Sequence, residues 1–331
     1  MGIYQRSRGL ASCRRRAVAL LLILPSLLLS GLSAVARAQV PYVPTPMDVV
    51  ERMLSMAKVG PADFLIDLGS GDGRLVREAA LRFGARGMGI ERDPELIERS
   101  NELARRQGVT DKVAFVKQDL FDADIRDATV LTMYLLPAVN MKLRPRLLST
   151  LKPGTRIVSH DFDLGDWQAD ETAEFYSELK YGASGGNSKI FLWIVPADVS
   201  GRWGWRLDVG GQSIDYELRV AQRFQKLDVG VRMAGQDRKV EQIELRGDAL
   251  SFTVVTEIKG SPVRQQFTGR IGGDAIEGAV ASKGARMQGA AEWSAVRLER
   301  GFRSAADVDP REAASTNPST NHAAVAAASM R

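Results

Sequence analysis

An apolar run, Phe64-Leu65-Ile66-Asp67-Leu68, leads straight into Gly69-Ser70-Gly71-Asp72-Gly73-Arg74. Glycines let a backbone bend sharply and approach a ligand where a side chain would collide. A turn between a strand and a helix also presents the unpaired N–H groups of the helix start. Two carboxylates belong to this turn. Asp67 can fix it or accept a hydrogen bond from a ligand's ammonium group, and Asp72 lies within it. A second strand-like segment ends at Glu91, 18 residues after Gly73. A carboxylate there can accept from both hydroxyls of a ribose. A third segment is followed by Asp119, in reach of an adenine amino group, with Leu120 and Phe121 beside the ring.

This ordered set of glycine turn, ribose acid and adenine acid describes a site for an adenosine-bearing ligand. The spacing is Gly-x-Gly-x-Gly, whereas a pyrophosphate turn requires Gly-x-Gly-x-x-Gly. Asp67 and Asp72 would also repel a pyrophosphate. Both acids suit S-adenosyl-L-methionine (SAM), which carries an ammonium and a sulfonium. Other chemistries are poorly served. Cys13 is the single cysteine, and His160 and His322 are the only histidines. No thiolate nucleophile, disulfide or histidine-rich metal centre is expected of the chain beyond its first residues.

The elements that position these residues follow from periodicity. Apolar residues at helical spacing mark 48–59. Strand signals over 64–68, 87–91, 113–117, 128–134 and 156–161 alternate with helical ones over 74–83, 94–107 and 139–151, the last kinked or restarted at Pro145. Such alternation predicts an α/β fold, a mostly parallel Rossmann-like sheet with helices on both faces. Segments 173–181 and 188–195, joined by the glycine-rich 182–187, predict an antiparallel hairpin at one edge, completing seven strands. From residue 199 to about 298 the pattern changes to period two between glycine turns, which predicts a small antiparallel barrel or sandwich. Pro196 is the expected boundary, giving domains 39–196 and 197–301. Trp203, Trp205 and Trp293 are expected in the second core. Lys142, Arg144 and Arg146 read as solvated surface.

The chain holds 45 lysines and arginines against 40 acids. Six of the arginines fall within residues 1–38, which contain no acid, and the rest of the chain is left with 39 basic against 40 acidic side chains. Without a basic field, attraction to nucleic acid has no source. The arginine-rich start, the apolar run 17–29 and Ala36-Arg37-Ala38 make a leader, so export to the periplasm or envelope is expected, with an uncleaved membrane anchor as the rival. The tail from residue 302, rich in alanine and small polar residues, is expected to be disordered.

Asp67-Leu68-Gly69-Ser70-Gly71-Asp72-Gly73-Arg74 with Gly89-Ile90-Glu91 closely resembles the class I methyltransferases that modify lysine in the ATP-synthase c subunit. More distantly it resembles the histone-lysine methyltransferases that lack a SET domain. The resemblance runs from Pro41-Tyr42-Val43-Pro44-Thr45-Pro46 past Tyr134-Leu135-Leu136-Pro137 to Trp167. It implies SAM as cofactor and N-methylation of a lysine in a protein substrate. It also implies that the proline-rich lead-in folds over the cofactor, bringing Tyr42 and Thr45 to it. The implied cofactor set is then Tyr42, Thr45, Asp67, Gly69, Gly71, Asp72, Gly73, Glu91, Asp119 and Leu120. Tyr134, Leu135 and Pro137 would lie beside the transferred methyl, Tyr134 orienting the amine and the carbonyls of Leu135 and Leu136 accepting from it. His160 or Asp161 would serve as base for a hydroxyl acceptor, or else hold the loop after their strand. Two further readings stay open: a methyltransferase for a small molecule or envelope lipid, and a non-catalytic exported binding protein on a relic fold.

Overall fold

The computed structural model describes residues 42–209, 211–258, 260–284 and 287–301. The leader with Cys13, and the tail from residue 302 with His322, lie outside the described residues. The chain divides into two units, Met1–Val43 and Pro44–Arg331. Of the first, Tyr42 and Val43 are described, and both are exposed. All that follows concerns the second.

Helix α1 (Met47–Met56) buries Val49, Val50, Met53 and Leu54. Strand β1 (Phe64–Leu68) and helix α2 (Arg74–Phe83) flank the glycine turn. Strand β2 (Arg86–Glu91) leads to helix α3 (Pro94–Gln107). Its N-cap Asp93 accepts from the Glu95 amide at 2.9 Å, Pro94 opens the first turn and Gly108 ends the helix in a left-handed conformation. Strands β3 (Val113–Lys117) and β4 (Val130–Met133) are followed by helix α4 (Pro137–Thr150) and strand β5 (Arg156–His160). The edge hairpin is β6 (Glu171–Ser177) and β7 (Gly186–Ile194). These seven strands lie in the order β3-β2-β1-β4-β5-β7-β6. The first five are parallel, and β7 joins antiparallel to β5. This is the expected Rossmann-like sheet. Three details differ. Helix α4 is continuous through Pro145 and does not restart there. Strand β6 ends at Ser177, so the last four residues expected in it belong to the connection to β7. Strand β4 ends at Met133, so Tyr134 begins the loop beyond it.

The period-two region forms eight strands: β8 (Gly201–Val209), β9 (Gln212–Arg223), β10 (Lys226–Met233), β11 (Gln236–Arg246), β12 (Ala249–Ile258), β13 (Ser261–Gly272), β14 (Ala275–Gly284) and β15 (Met287–Arg300). Each pairs with its neighbour in sequence, and β15 pairs with β8, so the sheet closes into a barrel. Closure removes free sheet edges. Its interior holds Trp203, Trp205, Phe252, Phe267 and Trp293, as the alternation predicts.

The barrel touches the sheet domain through the β9–β10 turn. Phe224 stacks on Trp167 with ring centroids 5.7 Å apart and belongs to the core cluster of Leu143, Leu147 and Trp193. The Gln225 amide oxygen accepts from the Trp167 indole at 3.1 Å. Arg144, expected on the surface, is buried here: it donates to the Leu164 carbonyl at 3.0 Å, pairs with Asp166 and lies over the Phe224 ring. The guanidinium is drawn inside because a carbonyl, a carboxylate and an aromatic face replace its water. Truncating Phe224→Ala should cost about 3 kcal/mol of unfolding free energy, as for other buried phenylalanines. Denaturant titration checks this, and an unchanged midpoint would show that the turn contributes nothing to stability.

Candidate active site

The glycine turn lies across the carboxyl ends of β1 and β2. The Gly69 and Ser70 amides both donate to the Ile90 carbonyl, at 2.9 and 3.0 Å. Gly69, Gly71 and Gly73 all have positive φ, where a side chain is strained. A Cβ on Gly73 would run into the Phe115 ring, and one on Gly69 would meet Leu135 Cδ2 at 3.0 Å. Two of the glycines are therefore required by packing within the protein as well as by approach to a ligand.

Glu91 is held by three amides. Its Oε2 accepts from Gly71 at 2.9 Å, and its Oε1 from Arg92 at 2.7 Å and Asp93 at 3.0 Å. Asp67 is buried and accepts from the Thr132 hydroxyl at 2.7 Å. Burial pushes its carboxyl up to about 7, against the hydrogen bond from Thr132, and the nearby charges of Glu91 and Asp72 push the same way. Asp72, expected to act with Asp67, is instead neutralised. Arg74 grips it with Nε to Oδ1 at 2.9 Å and Nη2 to Oδ2 at 2.7 Å. Burial raises the Asp72 carboxyl, but the bonds from Arg74 outweigh it and hold the group below its ordinary value. The expected repulsion of a pyrophosphate by Asp72 is thereby cancelled, and Asp67 alone keeps an uncompensated demand for a cation.

Arg74 also donates to the Thr45 carbonyl at 2.7 Å, so the buried Thr45 is tied to the glycine turn. Asp119 caps its own loop, accepting from the Phe121 amide at 3.0 Å, and faces Arg92 at 3.8 Å. Leu120 is partly buried against the core, and its carbonyl accepts from Arg146 Nη1 at 3.0 Å. Arg146 also donates to the Ala123 carbonyl. Like Arg144, it departs from the expected solvated cluster, because two loop carbonyls claim it. Arg74 had a local signal in its spacing from Asp72. Arg146 had none.

Beyond β4, the Tyr134 ring lies between His160, with centroids 4.1 Å apart, and Phe162 at 6.1 Å. Its hydroxyl donates to Asp161 Oδ2 at 3.2 Å. Burial, then the Asp161 charge, raise the phenol, so it stays protonated. His160 is fully buried, and burial lowers it to about 4, so it is neutral at pH 7. Asp161 has a left-handed backbone, φ 61°, and accepts from Lys180 Nζ at 2.6 Å and from the Lys189 amide at 3.1 Å. Burial raises the Asp161 carboxyl, but Lys180, His160 and the Lys189 amide together outweigh it and hold the group below its ordinary value. The Leu136 carbonyl accepts from the Val139 and Asn140 amides, closing the first turn of α4. Pro137 is exposed and occupies the first turn of α4, and Leu135 packs towards the glycine turn. Tyr42 belongs to the other unit and is 43% exposed. Among the described residues no acid, histidine and cysteine cluster could hold a metal ion, and no helix is long and apolar enough to cross a membrane.

Residues 67–171 match the family described as the ANTKMT methyltransferase domain. The chain is 41% identical over 157 residues to a protein-lysine N-methyltransferase of Saccharolobus islandicus, covering 47% of this chain and 94% of that one. The chain belongs to this methyltransferase family. It is 38% identical over 133 residues to the mouse adenine nucleotide translocase lysine N-methyltransferase, covering 40% of this chain and 57% of that enzyme. A solved RNA methyltransferase of Salinibacter ruber, bound to S-adenosyl-L-homocysteine, is 50% identical over 47% of this chain and 96% of its own, with a TM-score of 0.44. The protein is a SAM-dependent methyltransferase. The donor set fits that cofactor: a buried carboxyl lacking a cation, and a second carboxylate fixed at the next strand end.

The Asp67 carboxyl has a pH signature of its own. Its folded value, about 7, lies above the ordinary carboxylate value, so the folded state holds that proton more tightly than the unfolded chain. Its contribution to stability is present in full below about pH 4 and falls as pH rises to about 7. With no SAM added, the unfolding free energy of the wild type relative to Asp67→Asn should decline over that window and then level off. Denaturant titrations at a series of pH values test this, and a flat difference would show that Asp67 is already charge-compensated.

Proposed function

We propose that this methyltransferase modifies the side-chain amine of lysine in a protein. The observation that carries the reading is the 41% identity to the Saccharolobus islandicus protein-lysine N-methyltransferase across nearly its whole length. When bound, SAM supplies a methyl group on a sulfonium, which an amine lone pair takes in line as the carbon–sulfur bond breaks, leaving S-adenosylhomocysteine. The protein's part is to align and to exclude water. In this reading Asp67 receives the cofactor's ammonium, Glu91 the ribose hydroxyls and Asp119 the adenine amino group. Gly69, Gly71 and Gly73 give the backbone access, and Thr45 closes the turn through Arg74. Tyr134 keeps its proton and donates it to Asp161, so its oxygen lone pairs are free to accept from an acceptor N–H. Neutral His160 is too weakly basic to carry away the acceptor's proton, which leaves to water. We place export by the leader, domain limits at 39–196 and 197–301, and a substrate-receiving role for the barrel within the same proposal.

The test is methyl transfer from radiolabelled SAM to lysine-containing proteins, with calorimetric binding of SAM alongside. Label should be recovered as methyl-lysine, and Gly71→Arg should abolish both binding and transfer. Binding without transfer to any protein would end the lysine reading and turn the search to small molecules and lipids. Because a bound ammonium favours ionised Asp67, SAM should also bind more tightly at pH 8 than at pH 6. An affinity independent of pH would remove Asp67 from the ammonium site.

A further inference from the structure

The acceptor side of the site already holds an alkylammonium, and it belongs to the protein. Lys180, on the segment between β6 and β7, is 4% exposed. Its Nζ donates to Asp161 Oδ2 at 2.6 Å and to the Asn187 carbonyl. The Tyr181 ring lies 5.4 Å from the same nitrogen. Asp161 Oδ2 is shared with the Tyr134 hydroxyl. A carboxylate, a carbonyl and an aromatic face are the groups that recognise an ammonium ion.

Three features set this cluster apart from a simple tie for the hairpin. It stands at the carboxyl ends of β4 and β5, beside the strand whose turn holds the cofactor, and open α/β sheets take their ligands at that edge. Its carboxylate is presented by a non-glycine residue with φ 61°, a backbone state that persists only where its surroundings enforce it. Its walls stand at the ends of β4, β5 and β7: Tyr134, packed on His160 and Phe162, then Asp161, and the Asn187 carbonyl. The occupant, by contrast, comes from the connection between β6 and β7. Tyr181, Gly182 and Gly185 there all have positive φ, and Tyr181 is 68% exposed.

We propose that Asp161, Tyr134 and the Asn187 carbonyl form the subsite that receives the acceptor's side-chain nitrogen as an ammonium, which gives up a proton to water before methyl transfer, and that Lys180 fills it as a tethered stand-in until the segment between β6 and β7 withdraws. This rests on the lysine-acceptor reading and deepens it. The subsite takes a primary alkylammonium, and the segment between β6 and β7 becomes the element that a substrate must displace. A lysine of the chain itself then competes with every acceptor, so the apparent acceptor affinity is reduced by the fraction of time that Lys180 is in place.

The experiment uses the full chain. Lys180→Gly leaves a slot for a short alkylammonium. n-Butylammonium chloride should raise the thermal midpoint of that variant, while n-butanol at the same concentration and sodium chloride at the same ionic strength should not. Adding Asp161→Asn should erase the response. Equal responses to the amine and the alcohol, or none in a Lys180→Gly protein that still binds SAM, would overturn the proposal. If Lys180→Gly does not fold, Lys180→Met preserves the packing of the chain. Its acceptor KM should then fall by about five-fold, as expected when a tethered competitor is removed, and an unchanged KM would refute the subsite. Amine-specific stabilisation with no lysine methylated by any variant would keep the subsite and end the lysine-acceptor reading alone.

Discussion

The placement of carboxylates at successive strand ends depends on one crossing of backbone, where the glycine turn folds over the end of β2. Two amides of the turn donate to the Ile90 carbonyl, and a third donates to the Glu91 side chain. These bonds join β1 to β2 beyond the last rung of their parallel pairing, Leu68 with Ile90. Positive φ at three glycines is the conformational condition for the crossing. The Phe115 ring packed beneath Gly73 and Gly89 is the steric one. With both met, Asp67 and Glu91 stand at neighbouring strand ends on one edge of the sheet.

Charge is distributed unevenly around that edge. Asp72 and Asp161 are each matched by a cation, Arg74 and Lys180, and each stays ionised despite burial. Asp67 has a hydroxyl and two further acids for company, and its carboxyl rises to about 7. A buried carboxyl without a cation is costly to ionise, so a cationic ligand gains most at that point. Beyond β4 and β5, burial and the Asp161 charge keep the Tyr134 phenol protonated, and burial keeps His160 neutral. The site is therefore arranged to position groups. It contains no strong base, which agrees with methyl transfer from a sulfonium, a reaction governed by alignment.

The barrel adds a second layer of constraint. Its β9–β10 turn inserts Phe224 beside Trp167, and Asp166, in the same loop, pairs with both Arg144 of α4 and Arg223 of β9. That loop starts at Asp161, and Asn140 of α4 donates to its Phe162 and Asp163 carbonyls. The barrel contact and Asp161 thus lie on one short stretch of chain. The residues matched by the family end at 171, before the barrel begins.

Much of this was legible in the sequence because it is local. The alternation of strand and helix signals, the Gly-x-Gly-x-Gly turn and the acids at 67, 91 and 119 each depend on residues close together in the chain, and all take the expected positions at strand ends. Period-two alternation likewise gave away a run of antiparallel strands with an inward face of Trp203, Trp205 and Trp293; their number, eight, came from the fold. Whether they made a barrel or a sandwich was not decided by the alternation, since closure rests on β15 meeting β8 across the whole length of the domain. Tertiary structure also decided which charges remain unpaired. Arg144 and Arg146 read as surface and proved to be anchors for loops some 20 residues away in sequence. Lys180 fell near the end of the strand expected over 173–181, but the strand stops at Ser177 and the side chain reaches Asp161 from the connection that follows. Periodicity records which face of an element is buried. Long cationic side chains find partners wherever folding brings a carboxylate or a carbonyl within reach, and that distance is not written in the spacing of residues along the chain.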